Sequence, residues 1–171
     1  MSDSISRRRT LEQTVLENPD DIDTRLTLGS FFMEDGSPAE AIPLFNSILE
    51  KDPENAEAYL GLGLCWGMAL LENLPPVEIW GKEIDEELML EKALDYLERS
   101  IELDPEMTAG YNALGRLFVV RGQEDEAIEI FKQSLLIDPA QLDVLEDLRE
   151  ITGRPVWELL DKETDMGEFE E

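Results

Sequence analysis

The fold is decided by residues 108–141, which read TAGYNALGRLFVVRGQEDEAIEIFKQSLLIDPAQ. Pro139 closes this stretch, because a proline pushes the residue before it out of the helical region. Pro105 stands 34 residues earlier, and the same step of 34 separates Pro19 from Pro53. A period of 34 residues is typical of stacked helix-turn-helix units, so the chain is predicted to be a helical array.

The same register holds for other residue types. The step between Pro53 and Pro105 is 52 residues, which is one period of 34 plus 18 extra residues. Residues at equivalent positions keep these steps in five classes: Leu28, Leu62 and Leu114; Gly29, Gly63 and Gly115; Phe32, Trp66 and Phe118; Ala41, Ala93 and Ala127; Phe45, Leu97 and Phe131. The 18 extra residues therefore lie between Trp66 and Ala93, inside the second unit.

The glycines of this register predict where helices cross. A glycine inside a helix costs about 1 kcal/mol relative to alanine. Close packing must offset that cost at Gly29, Gly63 and Gly115, and the large apolar residues of the register are expected to fill the space between layers.

These residues resemble the tetratricopeptide repeat (TPR) family, whose pattern has an aromatic, Leu-Gly and a second aromatic in helix A, then Ala, Phe and Pro in helix B. The resemblance covers repeats at about 22–55, 56–107 and 108–141, with an insertion at about 70–87. Arg25 stands where the family has its first aromatic. The resemblance implies an all-α fold, a right-handed superhelical helix-turn-helix repeat array (TPR) with a C-terminal capping helix.

The ends of the chain set the expected domain limits. Residues 1–9 are predicted to be disordered, and residues 10–17 to form a partial helix B that covers the first repeat. A helical stripe of leucine and isoleucine at 142–152 predicts the capping helix, because a last repeat needs its apolar face shielded. A single domain is expected over 10–162, followed by a disordered acidic tail at 163–171.

The net charge of −27 limits the class of partner. Nucleic acid is not expected, because phosphate binding needs clustered Lys and Arg. Three explanations stay open: a solvated surface, electrostatic steering of a basic partner, and adaptation to high salt.

Catalytic groups are scarce. The chain has no histidine, the commonest general base and metal ligand. Its single cysteine, Cys65, lies among apolar neighbours and is expected to be an inert buried thiol. No enzyme activity, cofactor or metal is therefore predicted. No apolar run is long enough to span a membrane, and none follows the basic residues at 7–9, so a cytoplasmic location is expected.

The resemblance also implies which side chains line the concave groove of the array. The predicted partner-binding residues are Leu26, Ser30, Met33, Leu60, Leu64, Asn112, Arg116 and Val119. The leucines are expected either to anchor a partner or to pack between helices. Asn112 is expected to bond the backbone of a ligand, and Arg116 to pair with a carboxylate or carbonyl group.

One known TPR subclass is not matched. Repeats that grip the acidic C-terminal tails of heat-shock chaperones use a clamp of Lys, Asn and Arg residues. The equivalent residues here are Leu26, Ser30, Gly61, Ala109 and Ala113. The clamp is therefore absent, and the acidic chain would repel such tails.

The insertion carries the least generic sequence, with Pro75 and Pro76 followed by Ile79 and Trp80. The prolines forbid one continuous helix, and the next helix is expected to begin near Ile84. Ile79 and Trp80 are expected either to pack on their own helices or to contact a partner as a lid.

The resulting functional hypothesis is a protein–protein interaction module, an adaptor or small chaperone that binds a segment of another protein, basic or apolar, in its groove. The stretch at 59–65 is similar to bacterial type III secretion translocator chaperones, although the insertion departs from them. The alternative is an assembly scaffold that acts through its convex face or by self-association. The chain is expected to be a monomer or a weak homodimer.

Overall fold

A computed structural model describes residues 2–155 and 158, and within them every regular element is an α-helix. The all-α prediction is confirmed. The chain forms two compact units, residues 1–105 (unit 1) and 106–171 (unit 2). The single domain expected over 10–162 stays a prediction, and the acidic tail expected at 163–171 lies outside the described residues.

Unit 1 is built from six helices. They are α1 (Ser2–Glu17), α2 (Ile22–Glu34), α3 (Pro38–Leu49), α4 (Ala56–Leu71), α5 (Pro76–Trp80) and α6 (Glu86–Leu103). The helix α1 packs on α2, α3 packs on both α2 and α4, and α4 packs on α6. The pairs α2–α3 and α4–α6 are the helix pairs of the first two predicted repeats, and α5 lies in the insertion.

Side chains at the helix starts explain where these helices begin. The carboxylate of Asp21 accepts from the backbone of Asp23 and Thr24. The amide oxygen of Asn55 accepts from the N–H of Ala58 at 2.9 Å, and Asp85 accepts from Leu88 at 2.8 Å. Each bond satisfies a backbone donor that the first helical turn leaves unpaired. The cap at Asp85 places the start of α6 two residues after the expected Ile84.

Phe45 of α3 fills the centre of the core in unit 1. Its ring carbons lie 2.7 Å from where a Cβ would stand on Gly29, and 2.5 Å from that position on Gly61. Leu97 of α6 is equally close to Gly63, at 2.6 Å. The glycines therefore permit helix contacts that no larger residue at these positions would allow without a shift in its neighbours.

The N-terminal segment differs from the expectation. Residues 1–9 were predicted to be disordered, but residues 2–9 belong to α1. The guanidinium groups of Arg7 and Arg8 lie over the rings of Phe31 and Phe32, at 5.4 and 4.9 Å from their centroids. These cation–π contacts hold the segment against α2, and they depend on residues more than 20 positions away in the sequence.

Unit 2 contains three described helices, α7 (Thr108–Val120), α8 (Glu124–Ile137) and α9 (Leu142–Thr152). The pair α7–α8 is the third repeat, and α9 coincides with the predicted cap. Buried Phe131 lies 2.6 Å from where a Cβ would stand on Gly115. Val144 and Leu148 of α9 are fully buried in the same core, so α9 shields the apolar face of α8.

Candidate functional site

The predicted groove residues of α2 and α4 form an apolar surface in unit 1. Leu26 and Met33 are half-buried against the core, and Ser30 is exposed. Leu60 is half-buried, and Leu64, one helical turn further along α4, is 38% exposed. Among these side chains, Leu64 offers the most apolar surface to another molecule.

Cys65 joins α4 to α2 behind this surface. Its Sγ lies 3.1 Å from Sδ of Met33, and its side chain is fully buried. Burial raises the pKa of the Cys65 thiol to about 12, because an apolar environment disfavours the thiolate. Cys65 is therefore poorly suited to act as a nucleophile near neutral pH.

At Gly61 of α4, a clamp residue for chaperone tails is excluded by the packing of Phe45. The clamp pattern requires Asn where this chain has Gly61. The ring of Phe45 lies 2.5 Å from the Cβ that any larger residue would carry there. An asparagine would require the buried Phe45 to move.

The two polar groove residues of unit 2 are already hydrogen-bonded within that unit. Asn112 of α7 donates to Oε1 of Gln141 at 2.7 Å and accepts from the hydroxyl of buried Ser134 at 2.6 Å. The amide of Gln141 in turn donates to the carbonyl of Ser134 at 3.0 Å. The side chain of Asn112 therefore ties α7 to α8 and to the start of α9.

Arg116 is likewise hydrogen-bonded within unit 2, to two carboxylates of α9. Its Nε donates to Asp147 at 2.8 Å, and its Nη2 donates to Asp143 at 2.9 Å. The hydrogen bond from Arg116 lowers the pKa of the Asp143 carboxyl. Sequence reasoning missed these partners. The sequence does show that Asp143 and Asp147, four residues apart, share one face of the capping helix, but not that this face meets Arg116.

Val119 lies at the edge of a cleft in unit 2. It is partly exposed, its neighbour Val120 is exposed, and Phe131 and Ile151 line the same cleft of about 440 Å³. Arg116 contributes to the wall, together with Asp147. Of the three predicted groove residues of unit 2, Asn112 and Arg116 are hydrogen-bonded within the unit, whereas Val119 keeps exposed apolar surface.

In the insertion, Trp80 stacks on Trp66 of α4. The ring centroids are 4.0 Å apart and the planes differ by 19°. Ile79 is half-buried. This packing uses one face of the Trp80 ring, and contact of Ile79 and Trp80 with a partner stays a prediction.

Other kinds of site find little support in the described part of the chain. Residues 2–155 and 158 contain no group of three His, Cys, Asp or Glu side chains that could hold a metal ion. The described helices include none that is both long and apolar enough to cross a membrane.

Comparison with known families identifies the repeats. Two family models described as tetratricopeptide repeat match residues 32–66 and 90–141. Those segments contain most of α3, α4, α6, α7 and α8. The unmatched residues between them contain α5 and the rest of the insertion.

Among curated proteins, the chain is similar to Hsp70-Hsp90 organizing protein 3 of Arabidopsis thaliana. The two are 24% identical over 149 residues, which is 87% of this chain and 24% of the relative. The chain thus spans about a quarter of the length of that relative.

Solved structures share the fold. A thermophilic TPR protein of Thermus thermophilus superposes with a TM-score of 0.72 at 19% identity, over 86% of this chain and 72% of that one. The first TPR of Spaghetti (RPAP3), solved with an HSP90 peptide, gives 0.61 at 15% identity, over 77% and 93%. At these identities the likeness concerns the fold, and it confirms the TPR fold class.

Proposed function

Because this chain belongs to the tetratricopeptide repeat family, we propose that it is a protein–protein interaction module, an adaptor or small chaperone. Its binding surface in unit 1 is formed by Ser30 of α2 with Leu60 and Leu64 of α4. The observation that carries this proposal is the exposure of Leu64 beside half-buried Leu60 on the predicted groove face. Repeats of this family generally serve interaction rather than catalysis, and no catalytic role is proposed.

The partner is proposed to be an apolar or basic segment of another protein, met in the cytoplasm. A large apolar side chain that becomes fully buried contributes about 1.5–3 kcal/mol, so a few anchors against Leu60 and Leu64 would dominate the affinity. The net charge of −27 favours basic flanking residues on the partner.

The acidic tail of HSP90, although bound by one structural neighbour, is not the proposed ligand. Leu26, Ser30, Gly61, Ala109 and Ala113 replace the clamp residues. The contact between Gly61 and Phe45 leaves no room to restore one of them. The acidic surface would also repel such a tail.

The test compares two leucine-to-glutamate variants. Leu64→Glu places a charge on the proposed surface, and Leu16→Glu places the same charge at a 75% exposed site on α1. Both variants are checked for an unchanged helical spectrum and then used to capture partners from a cell lysate, quantified against the parent protein. We expect Leu64→Glu to lose the partners that the parent and Leu16→Glu retain. Retention of the same partners by Leu64→Glu would reject the surface.

A scaffold that self-associates is the second candidate, and one observation favours it. Leu136 and Leu142 in unit 2 are 71% and 79% exposed. Exposed apolar side chains mark an interface where they form a contiguous patch, and the second candidate requires these two leucines to form one. Sedimentation of the parent and of Leu136→Glu with Leu142→Glu distinguishes the two functions. A dimer that the double variant dissociates would favour the scaffold.

A further inference from the structure

The insertion of unit 1 forms a cleft between the end of α4, the short helix α5 and the start of α6. Its volume is about 700 Å³, a size typical of ligand sites. Ala69 and Met89 are buried at its base. Leu70, Leu74 and Ile84 are half-buried and give it apolar walls. None of the predicted groove residues lines this cleft, and neither Ile79 nor Trp80 does.

The rim of the cleft is acidic. Asp85, Glu86 and Glu87 are exposed and line it. Asp85 is used as the cap of α6, but Glu86 and Glu87 form no ion pair in the described part of the chain. From residue 72 to residue 91 the sequence contains one cation, Lys82, against seven carboxylates.

Part of this acidity is explained by the helix itself, because carboxylates in a first turn interact favourably with the helix dipole. The same holds for Glu124, Asp125 and Glu126 at the start of α8. The start of α8 also borders a cleft, since Glu124 lines the one of about 440 Å³. That cleft contains Arg116, which pairs with Asp147. The cleft at α6 is larger, and three carboxylates but no Lys or Arg line it.

The walls of the cleft are held in place before any ligand arrives. The Trp66–Trp80 stack fixes α5 to α4. The N–H of Leu74 donates to the carbonyl of Ala69 at 2.9 Å, and that of Gly81 donates to Val77 at 2.9 Å. A preformed site loses little conformational entropy when it binds.

We propose that this cleft is a second binding site, separate from the groove surface, for a partner segment in which apolar side chains are flanked by Lys or Arg. The apolar side chains enter between Leu74 and Ile84, and the cations pair with Glu86 and Glu87. Charge complementarity selects this occupant. An acidic or uncharged apolar segment would leave the two glutamates unpaired or repelled.

The experiment uses the full chain and three short fluorescent peptides. One has central leucines flanked by lysine and arginine, the second has the same leucines flanked by glutamate, and the third has serines flanked by the same basic residues. Fluorescence anisotropy measures binding to the parent protein. We expect binding of the first peptide only, weakening as salt rises because screening shortens the reach of the charges. Equal binding of the third peptide would overturn the proposal, since charge alone would then suffice.

Two double variants locate the site. Glu86→Gln with Glu87→Gln removes the rim charges, and Asp125→Asn with Glu126→Gln removes two charges from the equivalent first turn of α8. Each double variant removes two negative charges from the first turn of a helix, so both change the net charge by the same amount. We expect about a fivefold loss of peptide affinity in the first variant and no change in the second. An equal loss in both would show that only net charge matters, and would overturn the proposal.

Two single variants distinguish binding in the cleft from binding on the groove surface. Leu64→Glu alters the groove surface and leaves the cleft intact. Because the proposed groove surface also accepts apolar side chains with basic flanks, Leu64→Glu removes that competing site. We expect Ile84→Ser to weaken the basic leucine peptide in the parent protein, and to weaken it further in the Leu64→Glu background. If Leu64→Glu abolishes binding and Ile84→Ser has no effect, the peptide occupies the groove surface. The cleft proposal would then fail while the proposed function stands.

Discussion

The predicted groove positions of α4 in unit 1 and of α7 in unit 2 carry different kinds of side chain, and those of α7 are hydrogen-bonded within their own unit. On α4 they are Leu60 and Leu64, which have apolar surface left over after packing. On α7 they are Asn112 and Arg116, whose polar atoms are bonded to residues at the start of and along α9. A polar residue at a groove position is therefore not by itself a ligand contact. Near the end of an array, the capping helix supplies partners that a ligand would otherwise provide.

The largest expected effect tests the crossing of α4 and α6 at Gly63. The assignment of the groove face of α4 depends on this crossing. Gly63→Leu should lower the free energy of unfolding by about 3 kcal/mol, because a Cβ there would stand 2.6 Å from Leu97 and 3.2 Å from its backbone nitrogen. Urea unfolding followed by circular dichroism measures the loss.

The control for this variant is Gly36→Ala. A Cβ on Gly36 meets nothing within 4 Å, and only its φ of +71° opposes substitution. We expect a cost of about 1 kcal/mol there. If Gly63→Leu costs no more than Gly36→Ala, the predicted groove face of α4 is wrongly assigned.

A smaller effect tests whether Asn112 belongs to the structure or to a ligand site. Asn112→Ala removes the acceptor of the buried Ser134 hydroxyl and a partner of Gln141. We expect a loss of about 1–2 kcal/mol in the free energy of unfolding. Ser30→Ala, an exposed groove position in unit 1, should change it by less than about 0.5 kcal/mol. Unfolding of Asn112→Ala at the parent midpoint would mean that Asn112 is available to a ligand after all.

The smallest effect concerns Arg116 and depends on pH. Exposed ion pairs contribute about 0.2–1 kcal/mol each, so the two pairs that Arg116 makes should together contribute about 1 kcal/mol at pH 7. The pKa of Asp143 is lowered from its ordinary value of 3.8 by the hydrogen bond from Arg116. That contribution is present above pH 3.8 and is lost as the pH falls through the lower pKa of the folded state.

The difference between the parent and Arg116→Ala should therefore shrink as the pH falls below about 4. Thermal melts across this range measure it, with Arg121→Ala as the control, since Arg121 is exposed and has no ion-pair partner among the described residues. A stability difference that stays constant with pH would show that the ion pair with Asp143 does not contribute to it.

The helix pairs could be predicted because their signal is periodic. The steps of 34 residues gave the pair 108–141, and the structure places α7, α8 and the cap α9 within the expected limits. Two features could not be predicted from local patterns. Residues 2–9 are helical through contacts with Phe31 and Phe32. Pro76 is compatible with the first turn of α5, but the stack of Trp80 on Trp66 that holds this helix joins residues 14 positions apart.

The site was less predictable than the fold, because a repeat pattern gives the direction of a side chain and not its partner. The register puts Arg116 and Leu64 at equivalent positions of their repeats. It could not show that Asp143 and Asp147 lie within reach of Arg116, since their positions are 27 and 31 residues further along the chain. The apolar groove residues carry no such specific partner, so their role depends on a molecule outside the chain.

Because Cys65 is buried, its rate of chemical modification can be used to measure how often unit 1 opens. With a pKa of about 12, only about one thiol in ten thousand is ionised at pH 8, and the surrounding helices exclude reagents from it. Reaction with a thiol reagent therefore requires the contact between α2 and α4 to separate. Since the sequence has one cysteine, the modification rate of the unaltered protein measures how often unit 1 opens, and a ligand seated on Leu60 and Leu64 should slow it.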